Sequence, residues 1–350
     1  MLRAIAYATK GAAAALSMNA FGIDLGSSNI KIYNGLDDSY FMEKNMIAIE
    51  GRDTLFAYGD SAFDMYEKAP DNISVSYPVV NGVIADIRNM DTLIHYFIGD
   101  LSRSSTKPCD YYIAVPTDVT EVERRAFYDL IRDSNVKSRR IYTVEKAIAD
   151  GLGMGIDVKT SQGVLVVDVG YDTTEISLLS LGGIVLSRLI KVGGRVFDET
   201  IKAAVRKEYS LVIGSKTAEK LKIAMRDVDA QGKNAVVYGR DIVLGLPVEK
   251  EISTKLLYQC LEESFNSIID NIRQVLERTP PELGADIYRN GIYMSGGAAQ
   301  VGNLAEMTSE STGLRVNMND EPIGSVIKGL STVMREEYFS TLALAVDPGK

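Results

Sequence analysis

Apolar runs of strand length alternate with stretches of helical periodicity along most of the chain, and this alternation predicts an α/β fold. The predicted strands are short apolar segments bounded by glycine, proline or small polar residues, at 21–24, 29–33, 111–115, 164–168, 175–181 and 292–294. The predicted helices carry apolar residues three and four positions apart, at 121–133, 198–209, 217–226 and 253–277.

One motif occurs twice: an apolar strand that ends in aspartate, a short polar turn with glycine, and a second strand. The copies are FGIDLGSSNIKIY (21–33) and VLVVDVGYDTTEISLL (164–179). Such turns expose backbone N–H groups and hydroxyls, which bind phosphate oxygens. One copy is typical of an ordinary hairpin, but two copies predict a clamp on a polyphosphate. Asp24 and Asp168 would then face Mg²⁺ through its waters, because Mg²⁺ dehydrates reluctantly.

Composition excludes several classes of protein. The 350 residues are 46% apolar and 24% charged, which is typical of a globular chain of about two domains. The net charge of −9 disfavours nonspecific nucleic-acid binding and attraction to anionic lipid. We therefore expect no nucleic-acid partner.

Few residues are available for metal or nucleophilic chemistry. Cys109 and Cys260 are too few for a disulfide scaffold or a cysteine zinc site, and the single histidine, His95, excludes a multi-histidine metal site. No run of 18 uncharged apolar residues exists, so we expect no membrane-spanning helix. These features predict a cytoplasmic protein.

The N-terminal extension, residues 1–20, is basic and rich in alanine. Its spacing permits a weak amphipathic helix on a membrane surface. A secretory signal fits poorly because Lys10 interrupts the apolar run. A frayed extension without a membrane role is the other interpretation.

Several segments together resemble the MreB family of bacterial actin homologues, within the actin, Hsp70 and sugar-kinase superfamily. The resemblance covers roughly residues 21–335, and its motifs keep the order and spacing of that family. The matching segments are GIDLGSSN (22–29), NGVIAD (81–86), AVPTDVTEVERRA (114–126), VVDVGYDTTE (166–175), SLGGIVLSR (180–188), GSKTAEKLKI (214–223), RTPPEL (278–283) and YMSGGA (293–298).

The resemblance implies an actin-like, two-lobed fold with a duplicated ribonuclease H-like core, and ATP with Mg²⁺ in the cleft. It also implies four subdomains that follow the N-terminal extension. These are IA (21–40, 84–152 and 320–345), IB (41–83), IIA (153–194 and 248–319) and IIB (195–247).

The nucleotide-binding residues implied by the resemblance fall in four segments. The first phosphate turn contains Gly26, Ser27, Ser28 and Asn29, and the second contains Gly170, Tyr171, Asp172 and Thr173, of which Thr173 is also a candidate catalytic residue. The segments implied to line the adenosine are Glu219, Lys220, Leu221 and Lys222, and Gly296, Gly297, Ala298 and Ala299. Small residues at 296–299 would let the backbone approach a purine.

The chain departs from the family at the site of ATP hydrolysis. MreB proteins usually carry Glu-Glu-Pro, and the glutamate before the proline positions the attacking water. Here the segment reads Val144-Glu145-Lys146-Ala147, which puts Lys146 at that position. Adjacent helical residues point about 100° apart, so Glu145 does not simply substitute. Because an ammonium has no acceptor, we expect slow hydrolysis.

The phosphate turns depart from the family as well. Tyr171 and Asp172 replace glycines and add bulk and negative charge, so Asp172 either repels the nucleotide or helps to hold Mg²⁺. Lys31 follows Asp24 by seven residues, where actin has a phosphate-binding lysine. Strand alternation points it away from Ile30 and Ile32, either into the cleft or into solvent.

The resemblance implies an ATP-binding filament of paired protofilaments for cell shape or motility, with itself as partner and other actin-like paralogues as further partners. The loop 101–108 has no aromatic residue that could insert into a membrane, and Leu101 is predicted to end a helix. Any peripheral membrane contact is therefore expected at the termini or through a partner. A small-molecule kinase and a plasmid-segregation filament of the same superfamily are the alternatives.

Overall fold

The structure is a computed structural model that describes residues 18–102, 107–134, 136–226 and 232–345. Positions 1–17 of the N-terminal extension and positions 103–106 of the loop after Leu101 lie outside the described residues. None of the described helices is both long and apolar enough to cross a membrane.

Strands and helices alternate from residue 20 to residue 153, as the hydrophobic pattern predicts. In chain order they are β1 (Ala20–Leu25), β2 (Asn29–Asn34), β3 (Ser39–Lys44), β4 (Ile47–Glu50), β5 (Thr54–Tyr58), α1 (Gly59–Met65), β6 (Ile73–Ser76), β7 (Val79–Val80), β8 (Val83–Ile84), α2 (Ile87–Leu101), β9 (Cys109–Val115), α3 (Glu121–Asp133), β10 (Ser138–Glu145) and α4 (Lys146–Gly153).

The same alternation continues to residue 345. The elements are β11 (Val164–Val169), β12 (Thr174–Ser180), β13 (Gly183–Ile190), α5 (Gly194–Tyr209), β14 (Leu211–Val212), α6 (Ser215–Ala224), β15 (Asn234–Asp241), β16 (Pro247–Ser253), α7 (Thr254–Arg278), α8 (Pro281–Asn290), β17 (Ile292–Ser295), a 3-10 helix (Gly297–Gln300), α9 (Leu304–Thr312), β18 (Val316–Met318), α10 (Ser325–Arg335), α11 (Glu337–Ser340) and β19 (Leu344–Ala345).

The chain divides into two compact units. The first consists of the described parts of Met1–Gln162, Leu179–Ser187 and Ile323–Lys350, and the second of Gly163–Leu178 and Arg188–Pro322. The finer division into four subdomains remains a prediction.

The main sheet of the first unit has the strand order β19-β10-β9-β1-β2-β3. Its three central strands, β10, β9 and β1, run parallel, and the register aligns Asp24 with Ala114 and Ala114 with Val144. The carboxyl ends of these strands therefore lie at one edge of the sheet. Open α/β sheets bind ligands at this kind of edge.

Helices α2 and α3 bury their apolar faces in the core of the first unit. Phe97 and Phe127 join Ile23 and Ile113 in one buried cluster. The structure confirms the predicted bounds of α3, and Leu101 is the last residue of α2, as predicted.

Two glycines let α4 and α10 pack backbone against backbone in the first unit. A Cβ added at Gly329 would overlap the carbonyl oxygen of Ala149, and one added at Gly153 would overlap that of Ser325. No side chain larger than hydrogen fits at either position without moving a helix.

In the second unit, β11 pairs in parallel with β17, and β17 pairs in parallel with β18. Helix α5 begins at residue 194 rather than at the predicted 198, and α6 spans Ser215–Ala224 rather than 217–226. The long helix α7 differs from its prediction by one residue at each end.

Neither cysteine is fully exposed to solvent. Cys109 is buried at the start of β9, where its Sγ donates to Oδ1 of Asn19 at 3.1 Å. Cys260 is half-buried on α7. Burial raises the pKa of both thiols, that of Cys260 to about 11.

Candidate functional site

The first predicted phosphate turn, Gly26–Ser28, connects β1 to β2 and is braced by Asn45. Nδ2 of Asn45 donates to the carbonyl of Gly26 at 2.9 Å, and its backbone N–H donates to the carbonyl of Ser28 at 2.9 Å. Within the turn, Oγ of Ser28 donates to Oδ1 of Asn29 at 3.0 Å, and Ser27 is buried. The turn is therefore fixed by a buried amide before any ligand binds.

Asp24 and Lys31 form an ion pair beside the first turn. They are register partners on β1 and β2, and Nζ of Lys31 lies 2.7 Å from Oδ2 of Asp24. Both side chains are largely buried, and Lys31 lies on the opposite strand face from the buried Ile30 and Ile32. Lys31 is therefore not a solvent-facing lysine.

Glu145 and Lys146 lie at the same sheet edge as Asp24, where β10 ends and α4 begins. Oε1 of Glu145 accepts a hydrogen bond from Nη1 of Arg124 at 2.6 Å. Burial raises the pKa of Glu145, although Arg124 opposes this effect. Glu145 is therefore tied to α3, and Lys146 is the first residue of α4.

The second predicted phosphate turn, Gly170–Thr173, is attached to the start of α5. The backbone N–H of Gly194 donates to the carbonyl of Gly170 at 3.0 Å, and that of Arg195 donates to the carbonyl of Tyr171 at 2.7 Å. These bonds satisfy two of the N–H groups that a helix leaves unpaired at its N-terminus. They explain why α5 begins before its apolar periodicity does.

Asp172 is paired with Arg195. Oδ1 of Asp172 accepts from Nε of Arg195 at 2.6 Å, and Oδ2 lies 3.4 Å from Nη2. The carboxylate that the sequence places beside a polyphosphate is therefore neutralised by a guanidinium 23 residues further along the chain.

Three segments predicted to bind nucleotide converge on Gly194. A Cβ added there would lie 3.2 Å from Nζ of Lys222, 3.2 Å from Cδ2 of Tyr171 and 3.6 Å from Cβ of Ala298. Along α6, Glu219 is half-buried, Lys220 is exposed and Leu221 is buried. The second unit thus brings the second turn, α6 and the 296–299 segment together.

Gly296 lies directly against Asp168 at the ends of β17 and β11. Its φ is +87°, and an added Cβ would overlap the carboxylate of Asp168 and the carbonyl of Val169. Only glycine meets both requirements. Ala298 and Ala299 are buried in the 3-10 helix that follows.

Lys222 is committed to a buried ion pair with Asp198 of α5. Its Nζ lies 2.8 Å from the Asp198 carboxylate and donates to the carbonyl of Gly194 at 3.0 Å. Burial raises the pKa of Asp198 to about 6, although Lys222 opposes the shift. Lys222, predicted to line the adenosine, therefore also holds α6 to the start of α5.

This raised pKa predicts a pH-dependent stability. As the pH rises from 5 to 7, deprotonation of Asp198 should lower the free energy of unfolding by about 1 kcal/mol. In this interval the folded chain still binds a proton at Asp198, whereas the unfolded chain has released it at its ordinary pKa of 3.8. The folded state holds more protons, so raising the pH favours unfolding.

Urea denaturation at pH 5, 6 and 7 checks this prediction. The Asp198→Asn variant should not lose stability between pH 5 and pH 7. The Asp270→Asn variant, which removes an exposed acid on α7, should lose stability as the unmodified chain does. Equal pH dependence in Asp198→Asn and the unmodified chain would contradict the assignment.

The role of Asp24 and Asp168 toward Mg²⁺ stays a prediction. In the ranges described, no group of three or more His, Cys, Asp or Glu side chains could hold a metal ion by itself. Asp24 and Asp168 each offer one carboxylate. Mg²⁺ is commonly bound by one or two carboxylates together with waters and substrate phosphates.

Sequence reasoning missed three residues that hold these segments in place, namely Asn45, Arg195 and Asp198. No sequence motif marked Asn45 or Asp198 as part of a site. Arg195 follows Gly193-Gly194, a glycine pair that could have signalled a close backbone approach beside a turn.

Comparison with known proteins identifies relatives over most of the chain. A family model described as MreB/Mbl protein matches residues 18–341. The cell shape-determining protein Mbl of Bacillus subtilis is 34% identical over 318 residues, covering 89% of this chain and 95% of that protein. The cell shape-determining protein MreB of Escherichia coli K12 is 32% identical over 320 residues, covering 89% and 92%.

Solved structures show the same fold. MreB5 of Spiroplasma citri bound to ADP aligns with a TM-score of 0.84 at 33% identity, over 90% of this chain and 95% of that chain. The same protein bound to AMPPNP aligns at 0.85 and 32%, over 92% and 97%. The MamK double helical filament aligns at 0.77 and 20% identity, over 91% and 98%, which supports the fold alone.

Proposed function

The chain belongs to the MreB/Mbl family of actin-like cytoskeletal proteins, and we propose that it binds ATP with Mg²⁺, polymerises into filaments and hydrolyses ATP slowly. The observation that carries this proposal is the family match across residues 18–341 together with the two aspartate-tipped turns. ADP-bound and AMPPNP-bound relatives of the same fold support the choice of an adenine nucleotide.

The residues of each unit suggest distinct roles in nucleotide binding. In the first unit, the backbone N–H groups of Ser27 and Ser28 would donate to phosphate oxygens, and the Ser28 hydroxyl would do so by exchanging its hydrogen bond to Asn29 for one to phosphate. In the second unit, the turn at Gly170–Thr173 provides further donors, and Glu219 can accept from ribose hydroxyls. Mg²⁺, when bound, would neutralise phosphate charge, with Asp24 and Asp168 as candidates to hold its waters.

Slow hydrolysis follows from the chemistry of Lys146. Its ammonium offers three donors and no acceptor, so it cannot take a proton from an attacking water. It can still attract the γ-phosphate. Loss of a general base typically lowers a rate by about 10²–10⁴-fold. We therefore propose that nucleotide binding, rather than turnover, is the main function of this site.

Assembly is proposed to be homopolymeric, with paired protofilaments and with other actin-like paralogues as further partners. The filaments would act in the cytoplasm in cell shape or motility. Peripheral membrane contact through the N-terminal extension is a further proposal. Positions 1–17 of this extension lie outside the described residues.

Sedimentation with MgATP tests the proposal. Above a critical concentration the protein should pellet, and calorimetry should show ATP uptake that depends on Mg²⁺. Absence of Mg²⁺-dependent ATP uptake would overturn the proposed function. A protein that stays in the supernatant and consumes ATP only with an added acceptor would instead be a small-molecule kinase.

A further inference from the structure

Asp172 poses an electrostatic problem for the proposed function. A carboxylate in a phosphate-binding turn repels a polyphosphate, because like charges at short range raise the free energy of the bound state. The second turn nevertheless lies beside the start of α5, where backbone dipoles favour an anion. The arrangement of Arg195 resolves this conflict.

In this ion pair the carboxylate of Asp172 is buried and the guanidinium of Arg195 is partly exposed. The Asp172 side chain is 1% exposed, whereas that of Arg195 is 35% exposed. A ligand that approaches the second turn therefore meets a guanidinium rather than a carboxylate. Of the two charged groups in this pair, the positive one is therefore the more accessible to a ligand.

The guanidinium is also held in place. Its Cζ lies 5.1 Å from the ring centroid of Tyr171, within the range of a cation–π contact. The backbone N–H of Arg195 is bonded to the carbonyl of Tyr171, so residue 195 is anchored to the turn at its backbone and its side chain. Asp172 fixes two of its nitrogens. A preorganised guanidinium suits phosphate oxygens, which it can bind in bidentate fashion.

We propose that Arg195 is a phosphate-binding residue of the second turn, and that buried Asp172 is the counter-ion that keeps its guanidinium in place. This inference rests on the proposed nucleotide binding and deepens it. It assigns Tyr171 and Asp172, which replace the family's glycines, to one cluster with Arg195.

The two partners should change MgATP affinity in opposite directions. Arg195→Gln removes the exposed positive charge and leaves a buried carboxylate, so affinity should fall about tenfold. Asp172→Asn keeps an oxygen that accepts from Nε of Arg195, so the guanidinium stays in place; because the variant removes the negative charge, affinity should rise several-fold. Purely structural roles would lower affinity in both variants, because both would loosen the turn.

Fluorescence titration with MgATP, at protein concentrations that do not sediment, measures these affinities. Arg273→Gln and Asp270→Asn make the same chemical changes in an exposed pair on α7 and should bind as the unmodified chain does. The midpoint temperature without nucleotide shows which variants are folded.

Unchanged affinity in Arg195→Gln, or lowered affinity in both variants, would overturn the inference and leave nucleotide binding standing. If Arg195→Gln does not fold, Asp172→Asn decides alone, and an affinity that does not rise overturns the inference. If the unmodified chain does not bind MgATP, the inference and the proposed function fall together.

Discussion

Replacing Lys146 by glutamate should raise the rate of ATP hydrolysis by about 10²-fold, toward the lower end of what a general base contributes. Lys146 begins α4 at the edge where the parallel strands of the first unit end. A carboxylate there would supply the acceptor that an ammonium lacks. Phosphate release from filaments at a fixed protein concentration measures the change.

Three further variants separate the restored carboxylate from a general effect of charge. Lys146→Gln removes the ammonium without supplying a base and should give little increase. Lys255→Glu makes the same charge reversal at an exposed site on α7 and should leave the rate unchanged. Glu145→Gln should also leave the slow rate unchanged, because Arg124 already binds this carboxylate. If Lys146→Glu hydrolyses no faster than Lys146→Gln, the assignment of Lys146 to the water-positioning site is wrong.

Replacing Gly329 by alanine should lower the free energy of unfolding by about 3 kcal/mol, at the upper end of what overpacking usually costs. The added methyl would overlap the carbonyl oxygen of Ala149, which is backbone and cannot rotate away. Helices α4 and α10 would have to separate, and the contacts between them would be lost. Urea denaturation and the thermal midpoint measure the loss.

Gly99→Ala is the matched control, because it makes the same change on helix α2. A Cβ at Gly99 has no heavy atom within 4 Å. Alanine there should stabilise the protein by about 0.5 kcal/mol, since it restricts the unfolded chain more than glycine does. Equal effects of the two substitutions would show that the α4–α10 contact adjusts without cost.

Much of the fold follows from local pattern. The bounds of α3 were predicted from the helical spacing of its apolar residues, and in the structure Thr120 and Glu123 form a capping box at its start. Strand alternation also predicted that Lys31 lies on the opposite face of β2 from Ile30 and Ile32, and the structure confirms this. Signals that repeat every two or 3.6 residues can be read without knowing the tertiary structure.

The chemistry of the second turn could not be predicted in this way. Whether Asp172 repels a nucleotide depends on Arg195, which lies 23 residues away and reaches it only when α5 docks on the turn. The early start of α5 has the same origin, since Gly193 and Gly194 have poor helix propensity and the docked carbonyls outweigh it. Contacts between residues distant in sequence therefore could not be predicted from the local pattern.

The shielding of both thiols has a practical consequence for following this protein by microscopy. Thiolates, not thiols, attack maleimides, and neither Cys109 nor Cys260 presents an exposed thiolate near neutral pH. A single cysteine introduced on the surface would therefore take a fluorophore selectively, without prior removal of the native pair. Singly labelled subunits could then report growth and exchange at each end of a polymer.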